Sequence, residues 1–239
     1  MRKVRQIVVI LLGSLGLFTS HFSISGADPP ETYDAEGIYA HAEKSVFYVR
    51  AFRADGTLQD VGTGFTVGQD GTALTAYHVI GGAERIACVW NDGTVAATCS
   101  VIAQDETTDV AVLKLAPSGH MSGQADEDIP LELRSSQVKH GAKMFAIGYP
   151  MKETKIITEG IVNSPRAPIN GRDRMLISAQ IVSGMSGGPV LDKYGKVAGL
   201  ISGSLRTMNN IHLVVSAQDI RKVMTDSAYK VKDSAEMSN

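Results

Sequence analysis

Apolar and polar positions alternate along this chain in short runs, and glycine- or aspartate-bearing turns interrupt the runs at close intervals. Ser45–Phe52 (S-V-F-Y-V-R-A-F), Val61–Val67, Thr72–Thr75, Ile86–Trp90, Thr94–Ile102 and Val110–Leu115 read as strands. Asp55-Gly56, Gln69-Asp70-Gly71 and Asn91-Asp92-Gly93-Thr94 punctuate them with residues that accept turn geometry. A second set in the same style follows at Lys143–Ile147, Lys155–Val162, Met175–Ile181, Pro189–Leu191, Val197–Ser202 and Asn210–Val215. Helical spacing is scarce. Asp34–Lys44 can form a short helix, and Ser216 can cap another over Ala217–Met224. The stretch from Pro117 to Pro130 is polar and acidic and reads as a linker. Many short strands without intervening helices predict an all-β protein, not a βαβ fold. The expected units are a lead-in over 28–44, a first β unit over 45–118, a linker over 119–130, a second β unit with a terminal helix over 131–225, and a polar tail over 226–239. A crevice between two such units is a natural place for a site.

The N-terminus changes this picture by removing a segment from the fold. Arg2, Lys3 and Arg5 precede the apolar run Ile7–Phe18, and the small residues Ser23, Ser25, Gly26 and Ala27 follow. That is the pattern of a secretory signal peptide over 1–27, cleaved after Ala27, with a retained N-terminal anchor as the alternative. The run is short for a bilayer span, so no stable membrane span is expected in the mature form. Export would place the protein in the periplasm or outside the cell. The net charge of -2 over 239 residues gives no electrostatic reason for a nucleic-acid partner. No cofactor motif or metal-ligand spacing is present. The two cysteines, Cys88 and Cys99, flank the Asn91–Thr94 turn in a compartment where disulfides persist. A two-residue Asp92-Gly93 turn would set Cys88 opposite Ala97, so a bridge needs a bulge or a longer loop, and both the bridged and the free state remain open.

Candidate chemistry centres on Gly184-Met185-Ser186-Gly187-Gly188-Pro189-Val190. Its glycines permit φ > 0 and close approach of another molecule. In such a tight turn the backbone N–H groups of Gly184 and Ser186 can converge on one developing oxyanion. Taken alone, the stretch is equally an ordinary glycine-serine turn. A serine nucleophile needs a base, and a histidine base needs a carboxylate to fix its tautomer. His78, at a strand end in Leu74-Thr75-Ala76-Tyr77-His78-Val79, and Asp109, just before the apolar strand in Thr108-Asp109-Val110-Ala111-Val112-Leu113-Lys114, supply both.

Together with Gly62-Thr63-Gly64-Phe65, Ala146-Ile147-Gly148-Tyr149-Pro150 and Thr158-Glu159-Gly160-Ile161-Val162, these motifs resemble the trypsin-like serine endopeptidases, and within them the HtrA/Deg branch. The likeness covers about Ser45 to Met224, with its motifs in the family's order. It implies a double β-barrel with a short C-terminal helix, and cleavage of protein or peptide substrates through an acyl-enzyme. It implies Ser186 as nucleophile, His78 as general base and then acid, Asp109 as orienter, and Gly184 and Ser186 as the oxyanion hole. It also implies a specificity pocket with Gln180 at its base and walls from Ile181, Val182, Ser183, Ser202, Gly203, Ser204 and His212. Gln180 offers no carboxylate to Arg or Lys at P1, the substrate residue before the cleaved bond. His212 stands where HtrA relatives carry glycine, so it predicts either a small aliphatic P1 or an acidic P1 favoured when His212 is protonated. A one-residue slip of its strand would turn it away from the pocket.

The chain departs from the family at Met185, where relatives carry Asp or Asn, and at Tyr77, where they usually carry Ala. Activation by pairing with a freed N-terminal amine is therefore not expected. No PDZ domain is expected after the second barrel, and the oligomeric state is left open. Two other readings compete. The G-x-S-x-G pattern also fits an α/β-hydrolase elbow, which needs a helix after the serine and a more distant histidine. A protease fold that has lost activity and serves as a binding protein is the other, with Met185 as the feature that could distort the oxyanion turn.

Overall fold

The computed structural model describes residues 31–90, 95–115, 130–152, 154–205 and 208–236, with the backbone alone at 95–98 and 227–236. The expected leader and most of the expected linker lie outside the described residues. A short helix, α1 (Ala35–Ala42), opens the fold. Asp34 caps it by accepting from the Gly37 N–H at 2.9 Å, and it buries Ile38 and Ala42.

Six strands follow: β1 (Val46–Phe52), β2 (Leu58–Thr66), β3 (Thr72–Thr75), β4 (Arg85–Val89), β5 (Val95–Asp105) and β6 (Val110–Leu115). They close into a barrel in the order β1-β2-β3-β6-β5-β4. The second set is β7 (Lys143–Met151), β8 (Thr154–Ile169), β9 (Arg172–Ile177), β10 (Pro189–Asp192), β11 (Val197–Ser204) and β12 (His212–Ser216). It closes as β10-β11-β12-β9-β8-β7, the same cyclic order as the first. Closure leaves no unpaired sheet edge. The repetition of strand style along the chain is thus a repetition of topology.

Period-two alternation explains how the barrels pack. Along β7, Met144 and Ala146 face the interior of the second barrel, while Phe145, Ile147 and Tyr149 join the apolar cluster shared with the first. Both faces are buried, so the strand reads as a continuous apolar run rather than an alternating one.

Several elements differ from expectation. β9 ends at Ile177, and Ser178–Ser183 leave the sheet, because Ser178 turns its hydroxyl to the Ile161 N–H at 3.0 Å and the Ala179 backbone presses on Gly160. β8 runs on to Ile169, well past Val162, through two register shifts, one of which spans Pro165, while Pro168 pairs in register with Asp173. His78 does not end a strand. It lies in a single helical turn, α2 (Tyr77–Ile80), after the chain leaves β3. The terminal helix, α3 (Ala217–Glu236), continues through the stretch expected to end at Met224 and then fray. No glycine or proline interrupts that stretch, and Ala228, Lys230, Lys232 and Ala235 favour helix.

Cys88 and Cys99 form a disulfide with a Cα–Cα separation of 6.3 Å. Ile86 pairs with Cys99, and a register shift between Ala87 and Val89 supplies the bulge that a bridge required. Both residues are buried in the first barrel's cluster. Replacing both with alanine is expected to lower stability by about 2–3 kcal/mol, from the loss of a short-loop cross-link. Chemical denaturation under non-reducing conditions measures this, and an unchanged midpoint would contradict it.

Candidate active site

His78 and Asp109 meet at the mouth of the first barrel. The His78 Nδ1 lies 3.0 Å from both carboxylate oxygens of Asp109, and the His78 backbone N–H donates to Oδ1 at 3.0 Å. A double hold of this kind fixes both the ring and the residue that carries it. Asp109 is delivered by the β5–β6 turn with φ at 68°, a left-handed conformation that aspartate tolerates better than most residues. The Asp109 N–H donates to the Asp105 carbonyl at 2.9 Å, and the Thr108 N–H to Asp105 Oδ1 at 2.9 Å, so the turn enforces that conformation.

The electrostatics follow from these contacts. The hydrogen bond to Asp109 raises the His78 pKa above its ordinary value, aided by the charge of Asp109 and, more weakly, of Asp60, while burial opposes it. For Asp109 burial pushes the pKa up, but the bond to His78, the imidazolium charge and the Ser202 hydroxyl outweigh it and leave it lowered. The Ser202 Oγ donates to Asp109 Oδ2 at 2.5 Å. The pair is one-sided: the Asp109 side chain is 9% exposed and that of His78 43%. The imidazole edge opposite the carboxylate is therefore open to a reactant.

Ser186 approaches from the second barrel on the turn before β10. Its carbonyl accepts from the Thr63 N–H at 2.8 Å, and the Gly187 N–H donates to the Ile201 carbonyl at 2.7 Å. Two glycines here are structural necessities. Gly184 has φ of 90°, and a Cβ on it would sit 2.3 Å from the Tyr149 carbonyl oxygen. Gly187 has φ of 86°, and a Cβ would come 2.3 Å from the Thr63 carbonyl oxygen and 2.7 Å from the Ala76 nitrogen. The turn is thus pressed against the segment that leads into His78. Thr63 locks the two barrels together here. Its Oγ1 donates to the Gly184 carbonyl at 2.8 Å and accepts from the Tyr149 N–H at 2.9 Å, while its carbonyl accepts from Thr75 Oγ1 at 2.8 Å. The Ser186 hydroxyl makes no hydrogen bond to His78 among the described residues; such bonds often tighten only when substrate is bound.

Residues 62–200, more than half of the chain, match the family model for the trypsin-like peptidase domain. The chain belongs to that family. Among trypsin-like peptidases it is similar to the serine protease HTRA1 of Xenopus laevis, at 30% identity over 175 residues, covering 70% of this chain and 36% of that protein. It is also similar to a probable periplasmic serine endoprotease, DegP-like, of Hahella chejuensis, at 34% identity over 148 residues, covering 60% of this chain and 30% of the other. The matched region is thus about a third of the length of these relatives. Among solved structures, the active form of the Rv3671c protease from M. tuberculosis aligns with a TM-score of 0.68 at 25% identity, over 85% of this chain and 91% of that one. A serine endoprotease from Yersinia pestis aligns with a TM-score of 0.69 at 23% identity, over 82% and 67%, and supports the fold. The trypsin-like fold accounts for the two barrels, and a strand follows Ser186 where a hydrolase elbow would need a helix.

Of the residues expected to wall a trypsin-like specificity pocket, Ile181 and Ser204 are bonded to His212. His212 is buried, at 4% exposure. The Ile181 N–H donates to Nε2 at 3.4 Å, which leaves the proton on Nδ1, directed at Ser204 Oγ at 2.7 Å. Burial lowers the His212 pKa below its ordinary value. Gln180 and Ser183 are exposed, and Val182 is 43% exposed. Gly203 pairs with Leu213 on the strand edge beside His212. The Gln180 carbonyl accepts from Thr158 Oγ1 at 2.8 Å. Ser202, expected as a wall, has its hydroxyl on Asp109 instead. Met185, which could have distorted the Ser186 turn, points into the second barrel's core and is fully buried. Sequence reading missed Thr63 as the inter-barrel lock, although its position between two glycines in Gly62-Thr63-Gly64 marked it as a crowded backbone site.

Proposed function

We propose that this protein is an exported serine endopeptidase that cleaves peptide bonds in protein substrates through Ser186, His78 and Asp109. The observation that carries this reading is the doubly bonded His78–Asp109 pair beside the Ser186 turn. Asp109 takes the proton-bearing Nδ1 of His78, which leaves Nε2 as the acceptor for the Ser186 hydroxyl proton. Ser186 Oγ attacks the scissile carbonyl, His78 returns the proton to the leaving amine, and water then hydrolyses the acyl-enzyme by the same route. The N–H groups of Gly184 and Ser186 have no hydrogen-bond acceptor among the described residues, which leaves them available to the oxyanion. The test is labelling of the folded mature protein by a fluorophosphonate, lost in Ser186→Ala. A folded wild-type protein that does not react would favour the binding-protein alternative. Export rests on the leader pattern, and N-terminal sequencing of protein recovered from the periplasm or medium tests cleavage after Ala27.

The same reading extends to specificity. A neutral, buried imidazole with both nitrogens engaged offers nothing to an acidic P1 near neutral pH and fills space that a larger side chain would need. Small aliphatic P1 residues such as Ala or Val are therefore expected. A P1 peptide library should show this, with His212→Gly broadening the accepted size. A strong preference for Arg or Lys would overturn this account of the pocket.

A further inference from the structure

A charged side chain from the second barrel reaches the turn that carries Asp109. Arg174, on β9, is 6% exposed, an unusual burial for arginine. Its Nη1 donates to the Asp173 carbonyl at 2.9 Å, and its Nη2 to the Thr107 carbonyl at 3.5 Å, at the long end of hydrogen bonding. Thr107 lies two residues before Asp109, in the turn that holds Asp109 at positive φ. That turn is bonded internally through Asp105, but Arg174 is a grip on it from the opposite barrel. Burial lowers the Arg174 pKa, and the charge of Asp109 opposes that shift.

We propose that Arg174 is a positioning residue of the site: it grips the Asp109 turn from across the barrel interface. The grip keeps the Asp109 oxygens aimed at His78. Other charges face the same region. Asp60 on β2 acts on His78. Around Arg174 lie Arg172 and Asp173 on its own strand and Asp219 on α3. Arg166 on β8 is paired with Asp173, and Lys222 on α3 with Asp219.

The inference rests on the proposed triad, so its test includes a readout that needs no turnover. The His78 imidazole is titrated by NMR in the full mature chain, its signal assigned by its loss in His78→Gln, and kcat/KM is measured against pH in parallel. In Arg174→Met the bond that raises the His78 pKa is loosened, so the His78 pKa and the acid limb of kcat/KM are both expected to move to lower pH, with kcat/KM lower by about 10- to 100-fold on the plateau through misplacement of the base. In Arg174→Lys, which keeps a long cationic donor for the Thr107 carbonyl, both should return to the wild-type position. A folded Arg174→Met with a wild-type His78 titration overturns the proposal, as does a shift that lysine fails to reverse. Where Arg174→Met does not fold, Arg174→Gln, too short to reach the Thr107 carbonyl, decides by the same readout, and a wild-type His78 titration in it overturns the proposal. An NMR titration that behaves as expected in a protein without peptidase activity would sink the endopeptidase reading and leave the positioning role intact.

Discussion

Ser186→Ala is expected to lower kcat/KM for a peptide substrate by about 10⁶-fold while leaving the fold unchanged. The size follows from what the hydroxyl does. Without it no acyl-enzyme forms, and the remaining binding and oxyanion contacts can accelerate only direct attack by water, to about 10³–10⁴-fold over the uncatalysed reaction. Stability should barely move. The structural work at this position is done by the backbone: the Ser186 carbonyl on the Thr63 N–H, and the flanking Gly184 and Gly187. Alanine preserves all of these. Turnover of a quenched-fluorescent peptide, with thermal melting as the control, measures the effect. An alanine variant that retains a tenth of wild-type activity would remove Ser186 from the chemistry.

Asp109→Asn should cost about 10⁴-fold in kcat and reshape the pH profile. An amide can donate to Nδ1, which leaves the proton on Nε2 and presents Ser186 with a donor where it needs an acceptor. The sign of the pH effect follows from the hydrogen bond and charge of Asp109, which raise the His78 pKa. His78 must be neutral to act as a base, so wild-type kcat/KM should fall as pH drops through a pKa above the ordinary histidine value of about 6.5. With asparagine both contributions vanish and burial is opposed only by the weaker charge of Asp60, so the limb should move to lower pH while the plateau falls. A wild-type rate that stays flat to about pH 4 would exclude His78 as the base. A limb that moves upward in Asp109→Asn would contradict the electrostatic account given for the pair.

The first of these effects was legible from residues close together in the chain. Gly184–Val190 announces its turn because three glycines surround one serine, and the structure uses two of those glycines at positive φ. Asp109 was legible for a similar local reason, since a polar residue directly before Val110–Leu115 must lie where the strand leaves the core. His78 was legible as a residue but not in its setting. Tyr77–Ile80 is a single turn of helix, too short for any periodic signal, and tertiary contacts impose it on the exit from β3. The extent of β8 was not legible either, because prolines at 165 and 168 argue against a strand that nevertheless continues, with a register shift across Pro165.

By itself the sequence determined the strand inventory, the duplicated style of the two halves and the glycine-bounded turns, because alternation and φ requirements are local properties. It also singled out Ser186, His78 and Asp109 as the candidate nucleophile, base and orienter. The tertiary structure decided the rest. It closed both barrels in one cyclic order. It turned the Ser202 hydroxyl to Asp109 across 93 residues of chain. It made Thr63 the lock between barrels, buried His212 between Ile181 and Ser204, and brought Arg174 to Thr107. Each of these is a contact between distant segments, set by strand register and by the need of buried polar groups for partners. Neither condition is met until the chain has closed on itself, so no window of neighbouring residues can encode it.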